Sequence, residues 1–137
     1  MKKIFVHLGA GAGDLDSRAN YRCGFTELIK KKITKEDKAF VIEANIKNLN
    51  KLEECYKNFK NVNILNFAIS HKNTDLCEFF FTKDDAPHYQ VCSLDINHVK
   101  KHYPNSVIES FTVKGLRINE FFSKYVGENI DYLSIDL

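Results

Sequence analysis

The chain has 137 residues, 44% of them hydrophobic and 28% charged, which fits one globular domain of ordinary size. With 20 Lys and Arg against 18 Asp and Glu the formal charge is only +2, so electrostatics favours neither nucleic acid nor an anionic membrane as partner. No apolar run approaches the roughly 20 residues of a membrane helix and the start is not a signal peptide, which excludes a membrane span or secreted mini-protein and leaves a cytoplasmic protein as the expectation.

Lys3–Leu8 is a short β-branched and aromatic run, suited to a strand buried on both faces of a parallel sheet. It stops at Gly9-Ala10-Gly11-Ala12-Gly13-Asp14 and a polar stretch follows. Phe25, Leu28, Ile29 and Ile33 predict a helix over Cys23–Ile33, and Lys38–Glu43 reads as a second strand that ends in an acid. Asn45–Phe59 has apolar residues at steps of three and four, an amphipathic helix, and Asn61–Ile69 is the third strand. This alternation predicts an α/β fold with a parallel sheet and right-handed crossovers.

After Ser70 the pattern changes. His71–Thr74 reads as a turn, Leu76–Thr82 as a strand and Lys83–Gln90, with Pro87, as a loop. A short helix is expected within Ser93–His102, stopped before Pro104. Val107–Lys114 is expected to pair antiparallel with Leu76–Thr82, ahead of a short helix over Ile118–Val126. Ile130–Leu137 is a strand that runs to the last residue, which would leave a bare sheet edge. The expectation is that residues 1–137 form the N-terminal part of a longer domain, and that the edge invites self-association.

The four cysteines, Cys23, Cys55, Cys77 and Cys92, form no CxxC pair, so no local zinc or thioredoxin motif exists and reduced thiols are expected. His98 and His102 share a helix face with Cys92 nearby, but no third ligand at a defined spacing completes a metal set. They read as a polar surface. Phe79–Phe81 reads as core, and Lys30–Lys32 as a charge run that favours a helix C-terminus.

The glycine loop carries the chemistry. A phosphate loop would need a Lys that is absent, and the dinucleotide pattern Gly-x-Gly-x-x-Gly would need glycine where Asp14 stands. A zwitterionic ligand without phosphate suits the loop better. S-adenosylmethionine offers a carboxylate to backbone amides, an ammonium to nearby acids and two ribose hydroxyls to Glu43. Asp136 ends a strand expected beside the glycine-loop strand, at the crevice where the sulfonium would sit.

These residues resemble a known family. Val6–Asp14 is similar to the first motif of class I methyltransferases, and Phe40-Val41-Ile42-Glu43-Ala44-Asn45 to their second block. Asn66-Phe67-Ala68-Ile69-Ser70 resembles the Asn-x-Ala-Ile/Leu-Ser stretch of FkbM-type methyltransferases, and Ser93-Leu94, Thr112-Val113, Ile118–Phe122 and Ile130–Asp136 follow in that family's order. The resemblance implies a Rossmann-like sheet of class I methyltransferase type, with an inserted antiparallel strand pair and a break after the fourth strand. It implies O-methylation of a sugar or another small hydroxylated acceptor, with S-adenosyl-L-methionine as cofactor and no metal. The cofactor-binding residues would be His7, Gly9, Ala10, Gly11, Gly13, Asp14, Glu43, Ala44, Asn45, Ala68 and Ile69, with Asp136 catalytic. The chain departs from the family at His7, where Asp or Glu is common, and in a longer link over Leu15–Gly24. The rival readings are an NAD- or nucleotide-sugar-binding Rossmann protein and a non-catalytic Rossmann interaction module.

Overall fold

The computed structural model describes residues 1–15, 23–71 and 75–137; the long link and the turn after Ser70 lie mostly outside the described residues. Strand β1 (Ile4–Leu8) is buried along its whole length because it has a parallel neighbour on each side. Those neighbours are β2 (Lys38–Ile42) and the last strand, β7 (Tyr132–Ile135), and β3 (Val62–Leu65) pairs with β2 to give the all-parallel order β3-β2-β1-β7. The register sets Leu8 level with Ile42 and with Ile135, so the strand ends open together on one edge. The protein is thus an α/β protein with a Rossmann-like parallel sheet.

Strand periodicity divides the interior into two cores. Ile4, Val6 and Leu8 join Phe40 and Ile42 on one face, under Phe121 and Val126 from helix α4 (Ile118–Phe121) and the π-helical turn Phe122–Val126. Phe5, Ala39 and Val41 face the other way, against Ile29 of α1 (Gly24–Lys32) and Leu52, Cys55 and Tyr56 at the end of α2 (Ile46–Cys55). His7, two residues on from Phe5, shares that second face.

The expected third strand is a correction. Rather than running on to Ile69, it ends at Leu65, and Ala68–Ile69 forms β4 in a different sheet. Asn66 causes the break: its Nδ2 donates to the carbonyls of Glu43 (2.8 Å) and Ala44 (3.1 Å), turning the chain out of the ladder. The second sheet has the order β4-β6-β5, with β6 (Glu109–Leu116) antiparallel to β5 (Leu76–Phe81) as expected and parallel to β4. The connection between β5 and β6 carries a 3₁₀ turn at Lys83–Asp85 and helix α3 (Ile96–His102). No helix among the described residues is long and apolar enough to cross a membrane.

Candidate functional site

The loop after β1 is a run of left-handed turns. Gly9, Gly11 and Gly13 have φ of 77°, 59° and 63°, conformations that L side chains resist. The three glycines answer different demands. A Cβ on Gly9 would lie 2.0 Å from the carbonyl oxygen of Asp136, and one on Gly13 would lie 2.7 Å from Cys55 Sγ. At Gly11 a Cβ would meet nothing within 4 Å. Two glycines therefore let the backbone pack, and the third keeps a space open.

That space is a cavity of about 490 Å³, within the usual range for small-molecule sites. The residues expected to bind a cofactor converge on it: His7, Gly9, Ala10 and Gly11 from the β1 side, Glu43, Ala44 and Asn45 from the end of β2. Ala68 and Ile69 also line it, through the strand that changes sheets, and so does Asp136, whose backbone N–H donates to Leu8 at 2.8 Å. Gly13 and Asp14 stand outside the lining. Asp14 accepts from Lys30 Nζ at 2.6 Å and its other oxygen takes the Cys55 thiol at 2.9 Å. Burial works against its charge, but these hydrogen bonds and the lysine hold the carboxyl below its usual range. An acid so paired, and outside the lining, presents little free charge to the cavity. Lys30 likewise serves more than a helix-end charge run.

Glu43 ties the loop to β2. Its buried carboxylate accepts from the Gly11 N–H through one oxygen and from the Asn45 N–H, at 2.7 Å, through the other. Burial raises its pKa above the ordinary value, the backbone donors pull the other way, and the Asp136 charge adds to the rise. Each oxygen still has a second lone pair for a ligand donor. His7 is only 2% exposed, its ring meets the Phe25 ring at 4.9 Å, and its Nδ1 has no hydrogen-bond partner. Burial drives its pKa down to about 4, against the pull of Asp136, so the imidazole is neutral at pH 7.

The opposite wall comes from the β5–β6 connection and was not read from the sequence. Tyr89, Cys92, Ser93, Leu94 and His98 line the cavity there. Asn45 fastens this wall to the first one: it caps α2 by accepting from Lys47 N at 3.0 Å, and its Nδ2 reaches Cys92 Sγ (3.0 Å) and the Tyr89 carbonyl (3.3 Å). Burial, with the Asp85 and Glu43 charges, pushes the Cys92 thiol up to about 12, so it is not a thiolate nucleophile. The His98 and His102 rings lie 4.7 Å apart, tilted by 48°, and no group of three metal-ligating side chains exists among the described residues. Phe79 reaches the cavity as well as packing on Phe111 (5.4 Å), so the triple-Phe run is not purely core.

The charged residues among the described lining are Glu43 and Asp136, with no Lys or Arg. These acids are acceptors for a donor-rich ligand. Comparison with protein families, curated proteins and solved structures finds no match.

Proposed function

We propose that the protein is an S-adenosylmethionine-dependent methyltransferase of the FkbM type, acting on the oxygen of a sugar or another small hydroxylated acceptor. One observation carries this reading: a glycine cradle, open at Gly11 and tied to a buried strand-end carboxylate, in a cavity whose described lining has two acids and no Lys or Arg. The order β3-β2-β1-β7 agrees with the first four strands of the class I methyltransferase sheet, with β7 in the fourth place and β4, β5 and β6 as the insertion.

The residues fit the cofactor. Gly11 leaves the room a ligand needs against the backbone, and neutral His7, which lines the cavity, adds no positive charge to oppose the ammonium of the methionine end. Glu43 has lone pairs for the ribose hydroxyls, and Ala44, Ala68 and Ile69 offer the small and apolar surface an adenine ring requires. When bound, the cofactor supplies an electrophilic methyl group on a sulfonium. Asp136, at the crevice, is the group that would hold or deprotonate the acceptor hydroxyl, and proximity and alignment supply most of the rate. A nicotinamide or nucleotide-sugar ligand would bring a diphosphate towards Glu43 and Asp136, which disfavours that alternative.

The test is calorimetric titration with S-adenosylhomocysteine. Binding is expected, and Glu43→Ala should weaken it by about 1.5–3 kcal/mol, the worth of hydrogen bonds to a charged group. The affinity should fall as the pH is lowered through the raised pKa of Glu43, because the ionised carboxylate accepts from the ribose hydroxyls more strongly than the neutral acid does. No heat with the wild-type protein, or an unchanged dissociation constant in the variant, would reject the assignment.

A further inference from the structure

One buried polar atom in the cavity wall has no hydrogen-bond partner. Asn48 sits in the first turn of α2, one turn beyond Glu43 and Asn45, and it is only 3% exposed. Its backbone N–H is used, donating to the Asn45 carbonyl at 3.0 Å, but its side-chain Oδ1 is buried without a partner. Folding normally pairs such an atom, since an unpaired buried amide oxygen costs about 1–3 kcal/mol. Leucine has the same branching, and at a position that lines a cavity its larger methyl groups have room, so it would avoid the cost. The neighbouring asparagine, Asn45, is fully engaged, so the amide at position 48 is not explained by the helix cap.

We infer that Asn48 is a ligand-binding residue whose Oδ1 is reserved for a ribose hydroxyl, forming with Glu43 a two-acceptor clamp for the vicinal diol of a nucleoside. This rests on the proposed cofactor reading and adds a specificity determinant to it. Both residues line the same cavity and both flank Asn45; the Asn48 oxygen is shielded in the free protein, so the clamp forms when its amide turns towards the ligand, giving two acceptors for two adjacent O–H donors. A diphosphate or a carboxylate offers no donors and gains nothing from this arrangement. The orphaned oxygen is then a stability cost of the free protein that the ligand removes.

That predicts a split between stability and binding. Asn48→Leu should raise the melting temperature of the free protein, because a buried unpaired oxygen is replaced by an apolar group beside open space, while weakening S-adenosylhomocysteine roughly 5- to 15-fold. Asn48→Ala, run beside it, removes the amide without adding bulk and should show a similar loss of affinity. Wild type should also prefer adenosine to 2′-deoxyadenosine, and the preference should shrink in both variants. Unchanged affinity and unchanged diol preference in Asn48→Ala, with wild type binding normally, would overturn the role of Asn48 alone. Wild type that binds neither S-adenosylhomocysteine nor adenosine would overturn the cofactor reading beneath it. A lower melting temperature in Asn48→Leu with full retention of binding would make the residue structural.

Discussion

The parallel sheet contributes its wall of the cavity mainly through backbone, held by the ladder on both sides and by glycines that let strand ends approach. The second sheet contributes its wall through side chains on a connection ordered by a 3₁₀ turn, a seven-residue helix and one bridge between Ser93 and Phe80 of β5. Where the first wall is close-packed, its glycines cannot be changed without moving a strand. Where the second is tied, the ties include side-chain hydrogen bonds of Asn45 and of Asp85, which accepts from Tyr103 at 2.9 Å and from Val91 N at 2.7 Å, beside the backbone pair between Ser93 and Phe80. The contrast separates residues that build the site from residues that shape what enters it.

The largest effect should come from the close-packed wall. In Gly9→Ala the new Cβ would collide with the Asp136 carbonyl, 2.0 Å away, and the backbone would hold a left-handed alanine at φ 77°. Either the β1–β7 pairing opens or the loop moves, at a cost of about 3 kcal/mol or more. Gly11→Ala faces only the left-handed penalty, about 1–2 kcal/mol, because its Cβ enters open space. It should fold and lose S-adenosylhomocysteine. Paired denaturation and titration curves check this. Equal destabilisation in the two variants would mean that Gly11, like Gly9, is a packing glycine.

This wall was also the legible one. An apolar run, a glycine triplet and a strand-terminal acid are local patterns, so His7, Gly9, Ala10, Gly11, Glu43, Ala44, Asn45 and Asp136 could be nominated before any fold was known. The pairing of Asp14 was hidden, because its partners, Lys30 and Cys55, lie 16 and 41 residues away and leave no local signature. The break at Asn66 was equally hidden, since a side-chain amide bridging two carbonyls of another segment leaves the β-like composition of Asn61–Ile69 intact. Tyr89, Cys92 and His98 belong to a connection without periodicity, positioned only by tertiary contacts. Asn48 had one usable signal: an asparagine at an inward position of an amphipathic helix, where leucine would be ordinary.

A second difference between the walls should appear as acid sensitivity. His7, on the packed wall, has a folded pKa of about 4 against 6.5 for an ordinary histidine, because burial opposes its charge more than Asp136 favours it. The unfolded chain therefore takes up this proton first as pH falls. Stability contributed by neutral His7 is fully present above about pH 6.5 and is lost progressively down to about pH 4, a change of about 3 kcal/mol at most. Denaturant titrations of wild type and His7→Leu at several pH values isolate it. The variant should lose less stability between pH 6.5 and 4, and parallel curves would mean that His7 is solvated.

The smallest effect, and the one that bears most directly on the comparison, concerns the tie between the walls. Serine at position 45 can still cap α2, but it is too short to reach the Tyr89 carbonyl and Cys92 Sγ, which asparagine contacts at 3.3 and 3.0 Å. Asn45→Ser should therefore cost only about 1–2 kcal/mol, the worth of those two hydrogen bonds. The loss should be local. Lys83 is exposed at the start of the second wall, so trypsin cleavage after it under native conditions reports opening of that connection. Cleavage there should accelerate by more than the change in global stability accounts for, while S-adenosylhomocysteine remains bound through the glycine loop and Glu43. A cleavage rate that merely tracks global unfolding would show that the two walls open together, and that the second is as firmly built as the first.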